Sequence, residues 1–441
     1  MDPVFPVPVE PTRARASSDR WIPRRPIGRG GPGSRAPSVE DMSQPLAPST
    51  STTSPPSAAP ARLHHLDALR GGALLLGVLL HALMPFFPGD VWLIDDTHDS
   101  PDAAAAVGVI HLFRMNLFMM LAGYFGHMVL HRRGAGAYVR DRLKRIGLPL
   151  VVFLPGLFLL VIGAAVLNTV VRDLGPFTPP PPAPGAPTGI LALPTLHLWF
   201  LLLLLEIVLV VVLVRAVLVR LLGPARAERA SRRIASALAS PFGLVLVAAP
   251  YAVALVVQGG NVASITEPTT LMPVAGASIA YSGAFLAGWF LRAHPEALGR
   301  VERQWIPQLV TAVVLSPLAL LAPSSTPPVL VAIVAALAGW AWVYGLLGLM
   351  GRLVNQEIRW VRYLADSSYW VYLIHFPLLL LVEVPLADLG APILVKLAVA
   401  LTLVMAVLLV SYDLLVRSTW LGKWLNGHRR PRALRRRRAA A

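Results

Sequence analysis

The chain of 441 residues contains no cysteine, which removes disulfides, thiolate nucleophiles, cysteine-ligated zinc and iron–sulfur clusters from consideration. Redox compartment is uninformative for the same reason. Charge is also scarce: 14% of the residues are charged, against roughly 25% in soluble domains. A Gly-x-Ser-x-Gly nucleophile elbow is missing, and no internal repeat is visible, which weakens transporter folds built from two related halves. Acidic residues are the minority, 23 against 39 Lys and Arg, for a net charge of +16. In a soluble protein that excess would suggest nucleic acid. Here the basic residues gather between apolar segments and at the tails, the pattern of the positive-inside rule, so no nucleic-acid partner is expected.

What is abundant is apolar sequence, 55% of the chain at a mean hydropathy of +0.63. The reading is an all-α polytopic membrane protein with about ten transmembrane helices, at 66–86, 106–130, 146–167, 196–219, 242–258, 273–291, 305–322, 328–350, 367–385 and 391–416, each near the length that crosses the hydrocarbon. Pro250 and Pro317 fall in the two short segments, the fifth and seventh. Arg132, Arg133, Arg140, Arg142, Lys144 and Arg145 crowd one connection, whereas the connection 87–105 carries Asp90, Asp95, Asp96, Asp99 and Asp102 with no basic residue. The alternation places both termini in the cytoplasm.

Residues 1–62, rich in Pro, Ser, Arg and Gly, read as a disordered cytoplasmic tail without the apolar core of a secretory signal. Met42 is an alternative start. A transmembrane domain spans 63–427, and a basic cytoplasmic tail follows at 428–441.

Several ionisable residues interrupt the apolar segments. Arg70 and His81 lie eleven residues apart in the first span, about three helical turns and roughly 16 Å of rise, on nearly one face. Such groups are costly in a bilayer and have a task or a partner. In span two, His111 and Arg114 are three apart toward the outer side, where His81 also lies, so the three converge if these spans pack together. A structural pairing of Arg114 with Glu206 or Glu383 is the competing reading. Before span three, Arg142 and Arg145 share a helical face, and two guanidinium forks suit a polyanion such as the phosphates of an acyl-CoA. Plain topology charge with headgroup contact is the alternative.

These features fall in a recognisable order. Leu66-Asp-Ala-Leu-Arg-Gly71 with His81 resembles the first span of the acyltransferase-3 family of membrane-bound O-acyltransferases. Arg142-x-x-Arg145 before span three, Leu196-His-Leu-Trp-Phe200 opening span four, and Tyr369-x-x-Tyr372-x-x-His375-x-Pro377 resemble further motifs of that family. Where the family reads Ser-Gly-Phe this chain has Ala122-Gly123-Tyr124, so a serine role there is untenable. Tyr281–Trp289 and Val416–Gly427 look like the branch that succinylates osmoregulated periplasmic glucans.

The resemblance implies an enzyme of the bacterial inner membrane, with acyl-CoA, in this branch succinyl-CoA, as co-substrate. A glucan or other polysaccharide is the acceptor, membrane lipids surround the chain, and no cofactor is bound permanently and no metal is expected. Acyl-CoA would sit at the cytoplasmic face against Arg142 and Arg145. Arg70 would orient the donor or stabilise the oxyanion, where one donor is worth about 3 kcal/mol. His81 would be general base; Arg114, His111, His197 and Glu206 would line the polar cavity on the substrate side; Asp67, Tyr372 and His375 would be structural. With no serine or cysteine elbow, direct transfer is favoured over an acyl-enzyme, and an acyl-histidine stays open. An acetyltransferase acting on another surface polysaccharide, an exporter of a lipid-linked glycan and a non-catalytic scaffold are the other readings, and the oligomeric state is not legible.

Overall fold

The structure, a computed structural model, describes residues 64–89, 92–178, 187–259 and 263–433. The expected tail at 1–62, Asp90 and residues 434–441 lie outside them. Among the described residues there is no strand beyond an isolated bridge of Pro194 with Thr270. The helices are α1 (His64–Leu83), α2 (Pro101–Arg133), α3 (Ala135–Arg142), α4 (Leu148–Val171), α5 (Trp199–Leu222), α6 (Pro224–Leu238), α7 (Gly243–Gln258), α8 (Ala275–Ala293), α9 (Pro295–Arg303), α10 (Trp305–Leu320), α11 (Pro328–Leu353), α12 (Arg359–Glu383), α13 (Ile393–Ser411) and α14 (Trp420–Asn426). A π-helical turn, Leu143–Gly147, joins α3 to α4.

All ten expected spans coincide with a helix. Among the described residues seven helical segments have the length and apolar character to cross a membrane, and an eighth is added if α6 and α7, bent by 97°, count as one. The proline-bearing α7 and α10 have 16 residues each, roughly 24 Å of rise against a hydrocarbon core of about 30 Å. They are too short to span it unaided.

Helix boundaries follow local chemistry. Ser100 caps α2 by accepting from the Ala103 amide at 3.2 Å, ahead of Pro101 at the first helical position, and Gly134 at φ 79° ends the helix, a conformation glycine adopts without steric cost. α2 is the hub. Its Gly123 and the Gly288 of α8 meet reciprocally: a Cβ on Gly123 would collide with the Phe285 carbonyl, and one on Gly288 with the Met120 carbonyl. On another side of α2, Gly339 of α11 meets the Leu112 carbonyl in the same way. Small residues at such crossings let helix backbones touch. By contrast α4, α5 and α13 turn most of their leucines and valines outward, a surface suited to lipid.

The acidic connection after α1 is tied down from two sides. Lys396 of α13 places Nζ 2.8 and 2.7 Å from the two carboxylate oxygens of Asp96 and 3.2 Å from the Ala387 carbonyl, and the two side chains are 1% and 2% exposed. Arg172 donates to both oxygens of Asp388 and to the Asp95 carbonyl. Breaking a buried pair by removing one partner typically costs about 3–5 kcal/mol, whereas replacing both by apolar groups is often neutral. Lys396→Met and Asp96→Leu should therefore each lower the unfolding temperature of the detergent-purified protein, and the double variant should recover most of the loss. Equal losses in all three would refute this.

Candidate active site

One cavity of about 490 Å³ joins most of the residues singled out in the sequence. Asp67, Arg70, His81, Arg114, Arg142, Arg145, His197, Tyr372 and His375 all line it, whereas His111 and Glu206 do not. α1 sets its long axis, because Arg70 and His81 stand on one helix face roughly 16 Å apart along the rise. The cavity thus has an arginine end and a histidine end.

At the arginine end most cations are already engaged. Arg70 donates to the Ala365 carbonyl at 2.7 Å and lies 3.6 Å from Asp67. Arg145 pairs with Asp141 at 3.0 Å, and Arg430 with Asp366 at 2.8 Å. Arg142 differs: it lies over the Tyr138 ring at 5.0 Å, its Nε is buried without a partner, and no carboxylate pairs with it among the described residues. The chain after α13 folds back to complete this wall. Asn426 donates to the Asp366 carbonyl, Trp424 to the Lys144 carbonyl, and Leu425, Asn426, His428 and Arg430 face the cavity. The first residues of the expected basic tail are therefore wall rather than appendage.

The histidine end is organised by Pro377. Proline has no N–H and so frees the carbonyl four residues earlier, that of Leu373, and His197 Nε2 donates to it at 3.1 Å. The Tyr372 hydroxyl donates to the His197 carbonyl at 2.7 Å, holding the start of α5 against α12, while the Tyr369 hydroxyl donates to the Arg145 carbonyl at 2.6 Å. His375 Nδ1 donates to the Tyr372 and Val371 carbonyls at 2.8 and 3.1 Å, which fixes the tautomer and leaves Nε2 as an acceptor. Its ring lies 5.3 Å from that of His81 and 5.3 Å from that of His197, centroid to centroid. His81 is covered by Trp92 and Phe376, at 6.0 and 5.2 Å, and its Nδ1 is buried without a partner.

Arg114 reaches this end because Gly77, one turn before His81 on α1, has no side chain. A Cβ there would stand 2.7 Å from Arg114 Nη1. The acidic group coupled to Arg114 is Glu267, on the loop between α7 and α8 and not singled out in the sequence. Burial pushes the Glu267 carboxyl above the usual carboxylate range, while Arg114 and a hydrogen bond with Trp199 pull it back. That loop is laced to the start of α5: Thr195 N donates to the Thr269 carbonyl at 2.9 Å and Thr195 Oγ1 to the Pro268 carbonyl at 3.0 Å. Glu206 and Glu383 form no ion pair with Arg114. Both carboxylate oxygens of Glu383 are buried without a partner, away from the cavity wall.

The arrangement places several guanidinium groups at one end, and imidazoles with a guanidinium at the other. The curated relatives include glucans biosynthesis protein C of Shigella dysenteriae, 29% identical, and of Escherichia coli K12, 28% identical, each over 94 residues, 21% of this chain and 24% of the relative. The chain thus spans about a quarter of the length of the curated relatives it matches. No solved structure matches. The match to the acyltransferase domain family runs over residues 63–416, which takes in α1 to α13 and most of the cavity wall, and the chain belongs to this acyltransferase-3 family.

Proposed function

We propose that this acyltransferase moves an acyl group from acyl-CoA, bound at the arginine end, to a hydroxyl of a glycan that reaches the histidine end. The observation that carries the reading is the single cavity with an uncompensated guanidinium, Arg142, at one end and the cluster of His81, His197 and His375 at the other. Separation along α1 suits an extended pantetheine arm: phosphates against Arg142 and Arg145, thioester at the far end. Arg70 belongs to the donor side, because roughly 16 Å of helix rise keeps it from an oxyanion formed beside His81.

In the proposed step the acceptor hydroxyl attacks the thioester carbonyl as His81 takes its proton. Arg114, held beside His81 by the gap at Gly77, faces the developing oxyanion. The tetrahedral intermediate collapses to the ester, and the CoA thiolate leaves and receives the proton. His197 is bound to the Leu373 carbonyl and serves to shape the wall, and His375 offers Nε2 to the incoming hydroxyl. The name of the relatives supports a glucan acceptor, and the resemblance of Tyr281–Trp289 and Val416–Gly427 supports succinyl as the acyl group. The charge asymmetry of the connections supports a bacterial inner-membrane chain with its arginine end cytoplasmic.

Three measurements test this. His81→Gln and His81→Ala should both insert and fold yet lose a factor of roughly 10² to 10⁴ in turnover, followed as label passing from acyl-CoA to glycan. Near wild-type turnover in His81→Gln, at matched thermal stability, would remove His81 from the role of base. Arg142→Ala should raise the KM for acyl-CoA about tenfold, the equivalent of one charge-assisted hydrogen bond, and more than Arg145→Ala, whose guanidinium is committed to Asp141. Equal donor kinetics in both variants and wild type would return the pair to topology charge. Finally, in this cysteine-free chain, Leu174→Cys should react with an impermeant maleimide in cells whose outer membrane alone is permeabilised. Gly136→Cys should react only once the inner membrane is opened, and the reverse would invert the orientation.

A further inference from the structure

A second concentration of ionisable side chains lies outside the cavity, where α2, α5 and α8 meet at their arginine-rich ends. His127 and His131, one turn apart on α2, stack with ring centroids 3.9 Å apart and planes 25° from parallel. His131 Nδ1 donates to the His127 carbonyl at 2.9 Å, so its Nε2 is the acceptor, and Arg215 of α5 donates to it at 3.4 Å. Trp289 of α8 stands edge-on to His127 at 5.0 Å, and Arg292, one turn on, lies over the Tyr124 ring at 5.7 Å. His131, Arg292, Arg215 and His294 all lie within electrostatic reach of His127, whose Nδ1 is buried without a partner.

The cluster is short of negative charge. Glu228 is shared by Arg232 at 3.3 Å and His294 at 3.8 Å, and Glu302 pairs with His65 at 3.0 Å. Among the described residues no carboxylate pairs with Arg215 or Arg292. Arg215 also stands beside apolar surface. It lies about two turns from the end of α5, roughly 10 Å of rise, among Leu213, Val214, Val217 and Leu218, all 45% exposed or more, on a face suited to acyl chains. A guanidinium there whose one side-chain partner is a neutral imidazole can take an anion that arrives from the lipid side.

We propose that this cluster is a binding site for the phosphate of an anionic phospholipid. Arg215 and Arg292 clasp the headgroup, His127 Nδ1 donates to it when that nitrogen carries the proton, and the exposed face of α5 takes an acyl chain. None of these residues lines the active-site cavity, so the proposal stands independently of the catalytic reading.

The test is native mass spectrometry and thermal unfolding of the delipidated full-length protein titrated with phosphatidylglycerol, phosphatidylcholine or inorganic phosphate. Phosphatidylglycerol should bind and raise the unfolding temperature, with phosphatidylcholine and free phosphate well behind. At about 1 kcal/mol for each basic residue near an anionic lipid, the variant Arg215→Gln with Arg292→Gln should bind phosphatidylglycerol roughly thirtyfold more weakly. Arg226→Gln with Arg233→Gln, which removes the same charge from the exposed face of α6, should bind as wild type does. If the glutamine pair fails to fold, Arg215→Lys with Arg292→Lys keeps the charge without the planar fork and should retain part of the affinity. Unchanged lipid affinity in both variants of the cluster, equal loss in the α6 control, or equal stabilisation by inorganic phosphate would overturn the proposal.

Discussion

The architecture hangs on backbone-to-backbone contact around α2. In a lipid environment there is little hydrophobic drive for helices to associate, so close van der Waals approach carries much of the load. Gly123 against the Phe285 carbonyl, Gly288 against the Met120 carbonyl and Gly339 against the Leu112 carbonyl leave no room for even a methyl group. These three contacts lock α2 between α8 and α11. Arg114 lies on the locked stretch, two residues from Leu112, so its guanidinium enters the cavity from a rigid support. Gly77 then decides, from the other side, that the guanidinium has somewhere to go.

Unpaired and paired charge divide the interior. Several buried ionisable groups find main-chain or carboxylate partners: Arg70 has the Ala365 carbonyl, His197 the carbonyl freed by Pro377, His375 two carbonyls of its own helix, and Lys396 has Asp96. Burying a polar group without such a partner costs free energy. Against that background two cavity-lining groups with an open nitrogen, Arg142 at one end and His81 at the other, are ones whose partners a substrate can supply.

The helices were legible because a run of apolar residues near twenty long has few other fates, and Arg70, His81, Arg142 and Arg145 were legible because they interrupt such runs. Glu267, His428 and Arg430 were not. They sit in a loop and a tail, where no periodicity betrays burial, and only the pairing of Thr195 with 268–269 and the docking of α14 bring them to the cavity. His111 and Glu206 show the reverse error: an ionisable residue inside a span is conspicuous in sequence, yet the helix face on which it falls is set by packing. The spans offer Glu206 and Glu383 as partners for Arg114, yet the carboxylate that acts on it is Glu267, on the loop between α7 and α8. Lys396 escaped notice because a single lysine near the end of an apolar helix reads as an interfacial anchor until Asp96 is placed beside it.

The π-helical turn at Leu143–Gly147 begins directly after Arg142 and contains Arg145, the two arginines that face the donor end. Such a turn is one residue longer than the α-helical turn it replaces. It therefore acts as a phase shifter: with it in place, Arg142 before it and Arg145 within it both reach the same wall. Losing one residue from this turn would restore α-geometry and rotate everything upstream by roughly 100° relative to α4, swinging Arg142 and the Tyr138 ring beneath it away from the cavity. The length of this stretch is thus as much a part of the donor end as the arginines themselves.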